Sequence, residues 1–282
     1  MKLGIQLYSC RINMEKDPIN TIKRVSEIGY KYLELANLRG DTDFGSGFGV
    51  DATELKKILN ECGCSVISTH ISPLNLKNID SVIEYYSEIG ASYICSKPEY
   101  GTTEQCMKEA ELYDRLGEKC HEAGIQHVIH SGLPTYCEDG TLGMSKILES
   151  TNPQNVMLEL DTYWVMRGGI DPIDLMGKHA DRIVMLHQKD CPADFKGVKN
   201  LNSILKPGEI ATTAFFDEYR KEYQFCEIGS GIMPLQKIID FANENTKAKY
   251  LVLEQDFSTE DEFASIAESF ENLRKHTGIE FK

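Results

Sequence analysis

The sequence predicts an α/β protein, a single (β/α)8 or TIM barrel with one insertion between its seventh and eighth strands. Three observations lead there. The chain has 282 residues, about the length of one such barrel. Short apolar runs of strand length alternate with helical patterns throughout, at roughly 30 residues per βα unit. Three of those runs, Val156–Trp164 (VMLELDTYW), Ile183–Asp190 (IVMLHQKD) and Tyr250–Asp256 (YLVLEQD), stop on charged or metal-capable side chains. An apolar run without alternation suits a parallel strand covered on both faces. Polar groups at the carboxyl ends of several such strands are how a barrel of this kind builds a site.

The elements follow in order. Leu3–Leu7 reads as the first strand, ending near Tyr8. Asp17-Pro18 reads as a helix cap with proline in the first turn, opening a helix that runs to about Ile28 and closes on Gly29. Tyr32–Leu35 is the second strand. The glycine-rich Gly40–Val50 is a loop, and Leu55, Ile58, Leu59 and Cys62 stripe one helical face. Ser65–His70 is the third strand, ending on His70. Asn78–Ile89 is helical, Ser92–Ser96 is the fourth strand, and Thr103–Ala123 is a long helix. Gln126–His130 is the fifth strand, Leu142–Glu149 a short helix, and the sixth strand leads to Asp161, Tyr163 and Trp164, the only tryptophan. Asp171-Pro172 opens another short helix before strand seven, Arg182–Leu186. A helix over Ile232–Asn243, strand eight at Lys249–Glu254, and a closing helix striped by Phe263, Ile266, Phe270 and Leu273 complete the pattern. About sixty residues separate strands seven and eight, so 190–225 reads as an insertion within one domain spanning 1–282. It lies on a βα connection and is expected to cover the site as a lid or partner surface. Phe215, Phe216, Tyr219 and Tyr223 are spaced so that one helical face would bury all four.

Composition sets limits. A hydrophobic share of 41% and a charged share of 26% are ordinary for a globular chain with a large core. The net charge of −14 repels nucleic-acid phosphates and anionic membranes, so neither is expected as a partner. No apolar run reaches membrane-spanning length. Nine cysteines, an odd number with no CxxC pair, read as reduced thiols of a cytoplasmic protein. The start, MKLGIQLYS, enters a strand pattern at once, so no targeting segment is expected.

Asp161, His187 and Glu254, from strands six, seven and eight, are expected to meet around one divalent metal. One imidazole with two carboxylates suits a borderline-to-hard cation, with Mn2+ preferred and Co2+, Fe2+, Zn2+ and Mg2+ as alternatives. His130, on strand five, is the candidate fourth ligand. It also competes with Glu254 and His70 for the role of general base. Lys189 is either a substrate hydrogen-bond donor or an ion-pair partner of Asp190. Glu227 is either a substrate contact or a cap on the glycine turn 229–231. Tyr8 and Trp164 are candidates to stack on an apolar face of the substrate, with core packing the alternative for Trp164.

DTYWVMRGGIDP, RIVMLHQKD, EIGSG and LVLEQD, in that order, resemble the xylose isomerase-like sugar isomerase/epimerase superfamily, which includes inosose dehydratases, ketose 3-epimerases and endonuclease IV. The resemblance spans nearly the whole chain. It implies Asp161, His187 and Glu254 as three metal ligands, and a fourth that is often a glutamate at the end of strand five; here VIHSG places His130 there. It also implies a metal-dependent isomerase, epimerase or lyase working on a keto sugar through an enediolate. The superfamily contains enzymes that cleave 3-keto glycosides by elimination, some with a second small subunit, so a homo-oligomer or a complex with a second subunit is expected. An endonuclease IV-like activity is disfavoured by only 7 histidines and the acidic charge. A non-catalytic sugar-binding barrel is the remaining alternative.

Overall fold

The structure is a computed structural model and describes residues 1–258 and 261–281. Its elements in chain order are β1 (Lys2–Gln6), α1 (Arg11–Lys16), α2 (Pro18–Ile28), β2 (Tyr32–Asn37), α3 (Ala52–Cys62), β3 (Ser65–Ile71), α4 (Ile79–Ile89), β4 (Tyr93–Ser96), α5 (Thr103–Glu122), β5 (Gln126–His130), α6 (Gly143–Glu149), β6 (Val156–Asp161), α7 (Thr162–Arg167), α8 (Pro172–Lys178), β7 (Ile183–Gln188), α9 (Thr213–Tyr219), α10 (Leu235–Asn245), β8 (Tyr250–Leu253) and α11 (Glu262–Leu273). The eight strands pair in sequence order, all parallel, and β1 pairs with β8 to close the barrel.

Local chemistry places the ends of these elements. Asp17 caps α2 by accepting from Asn20 N–H, with Pro18 at its first position, and Thr102 and Gln105 form a reciprocal capping box on α5. The outward strand side chains join the helix faces in one core that includes Leu33, Leu158, Leu186 and Leu251. A second, smaller cluster of Ile67, Tyr93, Val128, Met157, Met185 and Val252 fills the barrel interior. Along β6, Met157, Glu159 and Asp161 are two residues apart and so share the inward side, with the carboxylates stacked above the apolar layer. Two register shifts fall beside carboxylates of that interior, one between Leu33 and Glu34 and one between Leu158 and Glu159. Irregularities of this kind re-aim side chains next to sites.

The β7–β8 connection carries the expected insertion. Its α9 places Phe215, Phe216 and Tyr219 in a cluster with Trp164, Tyr163, Leu201 and Phe225. Tyr223 departs from the expectation: α9 ends at Tyr219, and Tyr223 lies in a following 3-10 turn with 58% of its surface exposed. The buried Arg167 ties the segment to the barrel, donating to Tyr163 Oη (2.8 Å), Gln224 Oε1 (3.2 Å) and the carbonyls of Val198 and Tyr219. Asp190 fixes its base by accepting from the N–H groups of Cys191, Gly229, Gly231 and Met233. Gly231 is required there, because a Cβ would collide with that carboxylate. Among the described residues no helix is long and apolar enough to cross a membrane, and all nine cysteines are free thiols.

Candidate metal centre

Four side chains from consecutive strands converge at the carboxyl rim: His130 at the end of β5, Asp161 at the end of β6, His187 in β7 and Glu254 just past β8. Their ligand atoms lie within 4.8 Å of one another, and all four residues are buried. Strand pairing sets this up, since Asp161 lies opposite His187 in register. Asp161 splits its two oxygens between jobs. Oδ1 accepts from Trp164 N–H at 2.8 Å and caps α7, while Oδ2 faces His130 Nε2 at 3.4 Å. His187 Nδ1 lies 2.9 Å from Glu254 Oε2.

Lys189 supplies a positive charge to the same carboxylates. Its ammonium donates to Asp161 Oδ2 at 2.8 Å and to Glu254 Oε2, and Asp256 Oδ1 lies 3.5 Å away. Of the two roles open to Lys189, pairing with Asp190 is not the one the structure shows. Side chains of successive strand residues face opposite ways, so Lys189 joins His187 on the inward side while Asp190 turns out to the glycine loop. Asp190 takes the N–H groups of Gly229 and Gly231, while Glu227 closes the same turn through its carbonyl, which accepts from Ser230 N–H at 3.0 Å, and its carboxylate accepts from Ser265 Oγ at 2.8 Å.

A second, deeper group lies on the other side of His187. Its Nε2 is 2.6 Å from Glu34 Oε2 and 3.0 Å from Glu159 Oε1. Glu159 Oε2 also meets His70 Nε2 at 2.7 Å and accepts from Cys95 Sγ, and Glu34 Oε2 accepts from Gln6 Nε2. The rings of His70 and His187 stack 5.1 Å apart, with His130 tilted against both. Sequence reading passed over Glu34 and Glu159. The signal was present, because period-two alternation from Asp161 puts Glu159 on the same inward side.

The electrostatics follow from burial and pairing. Burial alone would raise the carboxyl pKa of Glu254, Asp161 and Glu159, but Lys189 outweighs it for the first two and His187 for the third, so all three stay low. Glu34 is raised, by burial and then by Glu159. Burial would lower His187 and His70, yet the Glu34 and Glu159 carboxylates hold both above the usual imidazole value. His130 moves the other way, pushed by burial down to about 4 and so neutral near pH 7.

These residues fit a divalent cation. Both ring nitrogens of His130 are buried without a hydrogen-bond partner among the described residues, as an imidazole waiting for a ligand would be. Two imidazoles with two carboxylates are a set that borderline cations accept. The carboxylates already hold one cation, the Lys189 ammonium. With Nε2–H donated to Glu34 and Glu159, His187 would present Nδ1 to a metal, which would take the place of the proton now facing Glu254 Oε2, the arrangement in which outer carboxylates fix a ligand's tautomer.

The group opens into a cavity of about 270 Å3 whose wall includes Gln6, Tyr8, His70, His130, Trp164 and Glu254, with Phe216 and Arg220 contributed by the insertion. Tyr8 and Trp164 thus both line the cavity, and Trp164 packs edge-on against Phe216 at 5.4 Å.

Residues 22–276 match the family model described as xylose isomerase-like TIM barrel. The chain is 28% identical over 201 residues to an inosose dehydratase of Geobacillus kaustophilus, spanning 61% of this chain and 62% of that protein. It is 23% identical to an inosose dehydratase of Clostridium beijerinckii over 99% of this chain and 98% of that one. Among solved structures, a sugar phosphate isomerase/epimerase from Parabacteroides distasonis superposes with a TM-score of 0.74 at 24% identity, covering 99% and 95% of the two chains.

Proposed function

Because the chain belongs to the xylose isomerase-like TIM barrel family, we propose that it is a divalent-metal-dependent isomerase, epimerase or lyase acting on a keto sugar or cyclic keto polyol, by removal of the proton beside the carbonyl. The observation that carries this reading is the convergence of His130, Asp161, His187 and Glu254 at the barrel rim, with His130 buried and its Nδ1 without a hydrogen-bond partner among the described residues. The curated relatives are named for removing water from an inosose, which is chemistry of the same class.

His130, Asp161, His187 and Glu254 would hold the ion. A bound divalent cation would polarise the carbonyl and stabilise the charge that develops when the neighbouring C–H is broken. The chain's own groups do the rest. Glu254, kept ionised by Lys189, takes the proton. His70, held protonated by Glu34 and Glu159 and lining the cavity, returns a proton to carbon or delivers one to a departing hydroxyl, which leaves as water. Lys189 keeps Asp161 and Glu254 in place and offers a hydrogen bond to a substrate oxygen. Tyr8 and Trp164 supply the walls against which the ring lies, and the insertion, through Phe216, narrows the mouth. Glu227 is not among the residues that line the cavity. Mn2+ remains the first choice on ligand grounds.

His130→Ala tests the assignment. As a ligand, its loss removes the metal measured in dialysed protein. If His130 were instead the base, the variant would keep the metal and lose roughly 10²–10⁴-fold in turnover. A variant that keeps both metal and activity removes His130 from the site.

A further inference from the structure

His187 meets a different group through each ring nitrogen. Nδ1 turns to the rim, beside Glu254. Nε2 turns to the deeper group of Glu34, His70 and Glu159, and one ligand atom from each of these three and from His187 lies within 4.8 Å of the others. We propose that the deeper group is a second divalent-cation site, which shares His187 with the first and, when filled, silences His70 as a proton donor.

Three observations carry the site. The first is its donor set. Glu34 Oε2 and Glu159 Oε1 lie 2.6 and 3.0 Å from His187 Nε2, and Glu159 Oε2 lies 2.7 Å from His70 Nε2. Two carboxylates and two imidazoles, from β2, β3, β6 and β7, suit a borderline cation such as Zn2+ or Co2+. The second is charge. Metal binding releases protons from its ligands. One divalent ion in place of the two Nε2 hydrogens leaves the charge of this buried group unchanged, so the exchange avoids the cost of adding charge to the interior. The third is unused bonding capacity. Glu34 Oε1 is buried with no hydrogen-bond donor among the described residues, and His70 Nε2 is 3.6 Å from it. The fully buried Ser68 hydroxyl also lacks a partner among them. Ser68 lies opposite Glu34 in register. Thr69 turns outward to accept from Tyr86 Oη at 2.9 Å, so Ser68 and His70 on either side of it turn inward. Buried oxygens without partners are rare, and a cation with a bound water would satisfy both of these. Entry is past His70, which lines the cavity wall.

The site itself does not depend on the sugar-enzyme reading; the silencing of His70 does, and the test separates them. Chelator-stripped protein is titrated with Zn2+, and the ions retained after gel filtration are counted. At saturation wild type should keep two per chain, Asp161→Asn and Glu34→Gln one each, and the double variant none. Glu159→Gln repeats the Glu34 arm should that variant fail to fold, as judged by circular dichroism. In Mn2+-loaded wild type, two ions joined through one imidazole ring should couple, so the second equivalent should broaden the electron paramagnetic resonance signal of the first. One ion in saturated wild type overturns the site, as do two ions that persist in both Glu34→Gln and Glu159→Gln. Simply additive resonance signals overturn the sharing of His187. Deuterium exchange into a keto sugar should rise with the first equivalent of Mn2+ and fall by roughly 10²-fold or more with the second, the loss expected when a general acid is removed. Exchange that stays level at full loading overturns the silencing. Two bound ions with no exchange at any loading overturn the sugar-enzyme reading and support the cation site.

Discussion

Lys189→Met isolates the charge balance on which the site depends. The ammonium is fully buried and is held by Asp161, Glu254 and Asp256, none of which reaches solvent freely. Methionine keeps the length and the apolar stem but removes the charge, leaving buried carboxylates without their counter-ion. Breaking a buried pair in this way costs about 3–5 kcal/mol. At roughly 2–4 °C per kcal/mol for a domain near this size, the metal-free variant should melt about 6–20 °C below wild type. Metal should reverse much of this, because the freed carboxylates are the proposed ligands. Mn2+ at a hundredfold over its dissociation constant contributes about 2.7 kcal/mol to a protein that binds it only when folded, and the affinity should be higher in the variant than in wild type. Circular-dichroism melts in EDTA and in graded Mn2+ measure both effects. A metal-free variant that melts within a degree or two of wild type would show that the ammonium does not neutralise these carboxylates. A destabilised variant with no response to any divalent ion would show that they do not form a cation site.

Two further expectations come from the buried histidines. Glu159→Gln or Glu34→Gln should weaken metal binding roughly 10–100-fold by releasing the His187 tautomer; competition with a chelating dye reads this directly, and unchanged affinity in both variants would remove the tautomer argument. His127 is fully buried against Ser96 Oγ at 2.9 Å, and burial pushes its pKa down to about 3. Below its unfolded pKa of about 6.5 the unfolded chain takes up a proton that the folded chain refuses. The stability this group contributes is therefore complete above that pH and falls as the pH drops toward 3, by about 2 kcal/mol between pH 7 and pH 5. Urea midpoints at the two pH values for wild type and His127→Phe test this, and an equal pH response in both proteins would contradict it.

The barrel was legible because its signals are local. Apolar runs, caps such as Asp17-Pro18 and closing glycines mark each element within a few residues. Asp161, His187 and Glu254 were legible because strand ends in this architecture share one rim. The partners of each side chain were harder to see, because they are set by register across the barrel. Glu34 meets His187 only once the barrel closes, and Lys189 faces Asp161 and Glu254 because it lies two residues beyond His187 on the inward side. Applied along β6 and β7, the same alternation would have brought in Glu159 and turned Asp190 away. Arg167, inside the RGG stretch, carried no sign that it anchors the insertion, since its acceptors Val198, Tyr219 and Gln224 lie in a segment with little periodicity of its own.

The central claim is proton abstraction beside a carbonyl at a metal centre built from His130, Asp161, His187 and Glu254. The most direct measurement incubates manganese-loaded protein with an inosose or a ketose in D2O and follows the carbon-bound protons by NMR. The account predicts deuterium entering at a carbon next to the carbonyl, with or without net product, and loss of that exchange both on chelation and in Asp161→Asn. Protein that holds its metal and binds the keto compound yet leaves every such C–H unexchanged and unconverted would contradict it.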